Sequence, residues 1–244
     1  MNILIKNEML KLKRIKSVIV IVLLSLFPYL INTIGLLSMR SDTDYDRYYF
    51  FVFNQNAILF PTIIFIFTGY VFYLEFKNRT MLNWISYPFN NFKLLLSKML
   101  TIFIFLFFVA FLTHLIHLST LWASYSGEIK PFEIINLFLG SLSFSTLSLL
   151  MIPVAALIAF VTRNLVTVII IGVASIFVTT MLLGADFSIA YPFAYIYRLS
   201  IQFFDPTFGY PSVSFTLWGA LILVCYVLIP GLLLYRAAQN PRIN

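Results

Sequence analysis

Six long apolar runs constrain the fold of this sequence more than any other feature. A helix needs roughly 20 apolar residues to cross a hydrocarbon core of about 30 Å. Six runs approach or exceed this length, and none contains a charged residue: 18–37, 57–74, 99–118, 135–161, 165–183 and 215–235. The sequence therefore predicts an all-α membrane protein with six transmembrane helices. We find no internal repeat, so one six-span domain accounts for residues 1–244.

Composition agrees with this class. The chain is 61% hydrophobic and 10% charged, whereas soluble domains are about 45–50% apolar and about 25% charged. Its one cysteine, Cys225, excludes an internal disulfide and a thiolate metal cluster. The fourth run is longer than a span requires, so we expect it to be tilted or kinked near Pro153.

The basic residues are divided unevenly between the two sides that six spans define. One side takes the N-terminus, residues 75–98, the turn at 162–164 and the C-terminus. It carries twelve Lys and Arg and two acidic residues, for a charge of +10, whereas four basic and seven acidic residues give the other side −3. Because cytoplasmic loops are enriched in Lys and Arg, we predict that both termini are cytoplasmic. Anionic lipid at that face explains the basicity without a nucleic-acid partner.

The first sixteen residues, "MNILIKNEMLKLKRIK", predict an amphipathic elbow helix in the membrane interface. Glu8 lies within its apolar face, one turn before Lys11. An acid in this position needs a partner, either Lys11 or a basic group on another protein. The simpler interpretation is a solvated ion pair at the level of the lipid headgroups.

Residues 75–98 form a basic, amphipathic segment between spans 2 and 3. The segment carries Glu75, Lys77, Arg79, Lys93 and Lys98, with aromatic residues between them. It is too polar to cross a bilayer and too apolar for a flexible linker. We predict a folded cytoplasmic segment that docks on a soluble partner. The alternative is a segment that only lies on the membrane surface, anchored by its aromatic rings.

The connections on the opposite side differ in character. Residues 40–56 are acidic and then aromatic, which predicts a polar loop that leads into an aromatic belt. Residues 184–214 combine many aromatic residues with Pro and Gly, and are too interrupted to cross the membrane. They predict one or two short helices that dip into the outer interface.

The common catalytic signatures are absent from the sequence. It has no G-x-x-x-x-G-K-[ST] motif, so the chain cannot hydrolyse ATP by itself, and no zinc-protease or serine-hydrolase motif. His114 and His117 share one helical face, where hydrogen bonding between helices is favoured over a metal or proton site. No charged residue lies in mid-span. This argues against an ion-driven carrier and suits a machine whose energy enters from outside the membrane.

Order and spacing give the sequence a family resemblance. The matching features are the basic elbow "KNEMLKLKRIKS", the stretch "EFKNRTMLNWISYPFNNFKLLLSKML" after span 2, six spans, and a broken aromatic connection before span 6. Together they resemble the ABC type-2 permease family, the membrane subunits of bacterial ABC exporters, over essentially the full length.

The resemblance implies two partners and a location. A separate P-loop ATPase, present in two copies, would bind ATP and Mg, and this chain would bind no cofactor. A second permease, identical or homologous, would complete the pathway in a bacterial cytoplasmic membrane. Carried over by position, the residues that contact the ATPase would be Glu75, Lys77, Arg79, Thr80, Leu82 and Trp84.

The resemblance also suggests a substrate class. Small permeases of this kind resemble those that export antimicrobial or cytolytic peptides, or that confer immunity to lantibiotics and bacitracin. The outer aromatic segment would then act as an exit gate, through Tyr191, Phe193, Tyr195 and Tyr197. Export of a drug, a lipid-linked polymer or a sodium ion is an alternative. An ATP-independent channel or carrier and an immunity or scaffold protein of the membrane are alternatives from other classes.

Overall fold

The computed structural model describes residues 1–39, 44–78, 90–183 and 185–239, and within these ranges the chain is helical with no strand. The α-helices are α1 (Asn2–Lys13), α2 (Ser17–Met39), α3 (Tyr45–Lys77), α4 (Asn91–Tyr125), α5 (Pro131–Ser148), α6 (Ile152–Thr162), α7 (Leu165–Leu182), α8 (Pro192–Ile201) and α9 (Val213–Gln239). Short 3-10 helices occupy Leu149–Met151, Asp186–Ala190 and Pro206–Phe208.

Six of these helical stretches are long and apolar enough to cross a membrane, which confirms the predicted fold class. They are α2, α3, α4, α5 with α6, α7 and α9. The helix α1 occupies most of the predicted elbow, and it ends four residues before α2 begins. The chain is therefore a six-span helical membrane protein preceded by a short helix.

The predicted loop at residues 40–56 is wrong from Tyr45 onward, because α3 already begins there. Tyr48, Tyr49, Val52 and Phe53 are all buried. Their spacing places them on one helical face. Packing of this face against the bundle keeps the segment helical despite its polar residues.

The fourth span is interrupted close to the predicted position. Helix α5 ends at Ser148, a 3-10 turn covers Leu149–Met151, and α6 begins at Ile152. Pro153 therefore lies in the first turn of α6. Proline is tolerated there because a helix does not use the N–H groups of its first turn.

Helix α3 lies at the centre of the bundle. In the most apolar window of each span, 67% of the α3 residues are buried, against 22% for α7 and 17% for α2. Glycines let α3 and α7 approach closely: a Cβ on Gly172 would lie 2.7 Å from Cβ of Phe65, and one on Gly69 would lie 2.9 Å from Cγ1 of Val168. Small residues at such crossings are typical of membrane helices.

The segment between α7 and α9 forms short helices, as predicted. Arg198 on α8 binds the last part of this segment. Its Nη2 atom donates to the Gly209 carbonyl at 3.0 Å, and its Nε atom donates to the Phe208 carbonyl at 3.2 Å. The guanidinium carbon lies 4.3 Å from the centre of the Tyr210 ring. These contacts hold residues 208–210 against α8, just before α9 begins.

Candidate functional site

Four charged side chains from three helices meet at the end of the bundle that carries α1. Lys11 Nζ donates to Glu8 Oε1 at 2.6 Å and to Glu75 Oε1 at 3.1 Å. Lys98 Nζ donates to Glu75 Oε1 at 2.8 Å and to Glu8 Oε2. Each carboxylate thus bridges both ammonium groups. We call Glu8, Lys11, Glu75 and Lys98 the four-charge cluster.

Three of the four charged side chains are largely buried, so they depend on these ion pairs. The exposed fraction of the side chain is 2% for Lys98, 7% for Glu75, 15% for Glu8 and 53% for Lys11. A charge removed from water is costly unless a partner compensates it. Two positive and two negative groups balance in the cluster. Only Lys11 keeps substantial contact with solvent.

The positions of these residues on α1, α3 and α4 bring them together. Glu8 and Lys11 are one turn apart on α1, which packs against α4. Glu75 lies in the last turn of α3, and Lys98 lies two turns into α4. The cluster therefore fastens the end of span 2, the beginning of span 3 and the N-terminal helix to one another.

Lys11 is charged at neutral pH. Burial lowers the pKa of its ammonium group, but the hydrogen bond that it donates to Glu8 and the charges of Glu8 and Glu75 outweigh burial and raise the pKa above 10.5. A raised pKa means that Lys11 contributes its stabilisation throughout the neutral range and loses it only as the pH rises through that value.

Glu8 binds Lys11, one of its two predicted partners, and it also binds Lys98 of the 75–98 segment. A basic group on another protein as its partner stays a prediction. The Glu8–Lys11 pair is partly solvated, because the side chain of Lys11 is 53% exposed, but Glu8 also binds Lys98, which is 2% exposed. Its position at the level of the lipid headgroups stays a prediction. Lys98 was not among the site residues predicted from the sequence. The available signal was its position, as a charged residue directly before an apolar run.

The residues predicted to contact an ATPase fall into two groups. Glu75 belongs to the four-charge cluster, and Lys77 is exposed at the end of α3. The other four, Arg79, Thr80, Leu82 and Trp84, lie outside the described residues. Both ends of the 75–98 segment are helical extensions of the spans, and Asn90 caps α4 by accepting a hydrogen bond from Phe92 N at 2.9 Å. Contact of these six predicted residues with an ATPase remains a prediction.

The two histidines lie on α4, in a buried polar network that also includes Tyr49 of α3. His114 Nε2 and Ser145 Oγ are 2.8 Å apart, which confirms hydrogen bonding between α4 and α5. His117 stacks on Tyr49, with ring centres 5.9 Å apart. Tyr49 in turn donates to the Leu137 carbonyl at 3.0 Å. In the described part of the chain, no three His, Cys, Asp or Glu residues are arranged to hold a metal ion.

The four residues of the predicted outer gate contact three spans. Phe193, Tyr195 and Tyr197 are buried and Tyr191 is partly buried. The tyrosine hydroxyls donate to Ser175 O on α7, Thr216 O on α9 and Asn54 Oδ1 on α3. A Cβ on Gly219 would lie 2.1 Å from the Tyr195 ring, so α9 packs directly on it. Gating by these residues remains a prediction.

Six apolar helices and a charged cluster at one end describe a multi-pass membrane protein. Comparison with protein families agrees: the model of the ABC-2 family transporter protein matches residues 4–182, nearly three quarters of the chain. The chain belongs to this family. A comparison with curated proteins gives no match. The matched residues run from α1 to the end of α7, so they include the whole four-charge cluster.

Family membership has direct consequences. The chain is a multi-pass subunit of a cytoplasmic membrane, and it is the membrane part of an ABC transporter rather than its ATPase. Membership also implies an ATPase partner and a membrane-embedded permease dimer.

Proposed function

We propose that this chain is the permease subunit of an ATP-driven exporter that moves amphipathic, antimicrobial or cytolytic peptides out of the cell or its membrane. A separate P-loop ATPase, in two copies, binds ATP with Mg and supplies the energy. A second permease subunit completes the pathway. The observation that carries the proposal is the four-charge cluster, which joins α1 to both spans flanking residues 79–89.

The cluster suits energy transfer because of where it lies. Residues 79–89 connect α3 to α4, and Glu75 and Lys98 lie in the helices on either side of this connection. A partner that pushes on the connection acts on both helices at once. Since Glu8 and Lys11 fasten the same helix ends to α1, the three helices respond together. The excess of Lys and Arg at this end supports a cytoplasmic location, where an ATPase is available.

The substrate class is supported by the surfaces of the spans. Exposed side chains on α2, α7 and α9 are large and apolar, including Phe27, Phe177 and Trp218. An amphipathic peptide partitions into the bilayer and would approach such a surface from the lipid. The aromatic residues of α8 then lie at the opposite end from the ATPase, as an exit gate requires.

The test of coupling uses purified permease assembled with its ATPase in lipid vesicles. Glu75→Gln and Lys98→Gln should still reach the membrane and bind the ATPase, but peptide-stimulated ATP hydrolysis and peptide transport should fall together. Losing an anchoring contact of this kind costs about 1–3 kcal/mol, or roughly 5- to 150-fold. Trp84→Ala, in the predicted contact itself, should behave in the same way.

Lys93→Gln is the matched control, because Lys93 is on the same helix but exposed. It should leave both activities unchanged. If Lys98→Gln also leaves stimulated hydrolysis and transport intact in a normally assembled complex, the cluster does not couple the two subunits. If ATP hydrolysis is stimulated only by a non-peptide compound, the coupling proposal stands and the substrate class is wrong.

A further inference from the structure

A small cavity lies between α2, α3, α4 and α5, away from the four-charge cluster. Its polar walls include Ser25, Asn56, Thr113, His117 and Ser141. The volume open to the centre of a water molecule is ≈ 10 Å³. Since one water needs about this volume, the cavity has room for a single molecule.

Two polar atoms in the cavity wall lack a hydrogen-bond partner among the residues that the structure describes. They are Asn56 Nδ2 and His117 Nε2. Asn56 is 6% exposed and His117 is 1% exposed, so bulk water does not reach them. Buried polar groups are almost always hydrogen-bonded, and an exception needs an explanation. Among the described residues, four buried side-chain atoms lack a partner, and these two belong to residues that line the same water-sized space.

The chemistry of these two atoms is complementary through a water molecule. The amide nitrogen of Asn56 is a donor, and the Nε2 atom of a neutral imidazole that is protonated on Nδ1 is an acceptor. Water accepts from the first and donates to the second at the same time. Its other proton has acceptors nearby, since the hydroxyls of Ser25 and Thr113 donate to Ile21 O and Val109 O and keep free lone pairs.

We propose that this cavity is the binding site of one ordered water molecule, which bridges Asn56 on α3 to His117 on α4. A bound cation would require several oxygen ligands and negative charge, whereas no acidic side chain lines the cavity in the described part of the chain. The site is independent of the proposed function, because it involves neither the ATPase nor the transported substrate. It makes the contact between spans 2 and 3 depend on a solvent molecule inside the membrane.

The first test is an experimental map of the assembled transporter at a resolution that shows ordered water. We expect one density peak within about 3.2 Å of both Asn56 Nδ2 and His117 Nε2. A map with these side chains ordered and the cavity empty would overturn the proposal, as would a direct bond between the two atoms. A peak surrounded by five or more oxygen ligands at short distances would identify a cation instead.

The second test is a double-mutant cycle measured by thermal unfolding of the full chain. Asn56→Leu removes the donor, and His117→Phe removes the acceptor while keeping a ring against Tyr49. Each single change leaves the water with one partner too few, and should lower Tm by roughly 2–4 °C. The double variant no longer needs the water, so its Tm should fall clearly less than the sum of the two.

Thr62→Val is the control for this cycle. The Thr62 hydroxyl donates to Gly172 O on α7 at 3.1 Å, outside the cavity. Combined with His117→Phe, it should give additive shifts, because distant sites without shared partners are additive. Additive shifts for Asn56→Leu with His117→Phe as well would show that no molecule links the two residues, and the proposal would be wrong.

Discussion

Helices α3 and α4 are held together by different chemistry at their two ends. At the α1 end, Glu75 and Lys98 carry full charges and are completed by the charges of α1. Toward the other end, Tyr49 and His114 make hydrogen bonds to α5 without any charged partner. The same two helices thus carry two kinds of contact. We call the four-charge cluster the ionic junction, and the hydrogen bonds of Tyr49 and His114 to α5 the neutral junction.

The difference follows from the solvent at each depth. A full charge in hydrocarbon is expensive, so the ionic junction lies where Lys11 is still half exposed to water. Neutral hydroxyl, imidazole and carbonyl groups cost less to bury, provided that each has a partner. The charged junction is therefore suited to a boundary where a soluble partner binds, whereas the neutral junction is suited to the membrane interior.

The first expectation is an all-or-none difference in cysteine labelling, which tests which end of the bundle faces the cytoplasm. In a Cys225→Ser background, a cysteine at Ser126, just beyond the far end of α4, should react with an impermeant thiol reagent in intact cells. Cysteines at Ser86 and Asn244 should react only after the membrane is opened. The reverse pattern would place the ionic junction outside the cell and would break the coupling argument.

The largest energetic effect should come from reversing a charge in the ionic junction. Glu8→Lys places a third ammonium group beside Lys11 and the buried Lys98, and should destabilise the packing of α1 by about 3–5 kcal/mol. Lys6→Glu changes an exposed residue of the same helix and should change stability by about 0.5 kcal/mol or less. Chemical unfolding measures both. Equal effects would mean that the junction does not hold α1.

A smaller loss should follow from opening the neutral junction. Tyr49→Phe removes a hydroxyl that donates to Leu137 O and contacts Ser141 Oγ at 3.0 Å. It should cost about 1–3 kcal/mol. Because no net charge is involved, the loss measured by chemical unfolding should be the same at low and high salt. A strong salt dependence would contradict the neutral description.

The smallest effect should be that of the histidines on transport. His114→Ala and His117→Ala alter the neutral junction but leave the four-charge cluster in place. Below their unfolding temperature, both should keep peptide-stimulated ATP hydrolysis within roughly twofold of the original protein. If the histidine variants are inactive while Glu75→Gln is active, energy is coupled at the neutral junction instead.

The features predicted correctly from the sequence depend on local composition. The six spans follow from the length of apolar runs, because transfer into lipid depends on the summed hydrophobicity of each run. The interruption near Pro153 and the short helices after α7 follow from proline, glycine and run length. These signals all lie within a few turns of the residues that they concern.

The features that were missed depend on distant partners. Helix α3 extends back to Tyr45 because other helices bury Tyr48 and Tyr49, although Asp46 and Arg47 weaken the local apolar signal. Lys98 belongs to the candidate site because Glu8 is brought to it from 90 positions away. One sequence shows that both residues are charged, but it does not show that they meet.

The turn between α6 and α7 has a consequence for how the chain enters the membrane during synthesis. Arg163 is the only charged residue between Glu133 and Asp186, and it occupies this turn with a left-handed φ of 52°. Drawing an arginine to mid-membrane costs about 2.5–3.5 kcal/mol. The charge of this side chain therefore opposes deeper entry of the tip of the α6–α7 hairpin into the hydrocarbon when the nascent chain inserts.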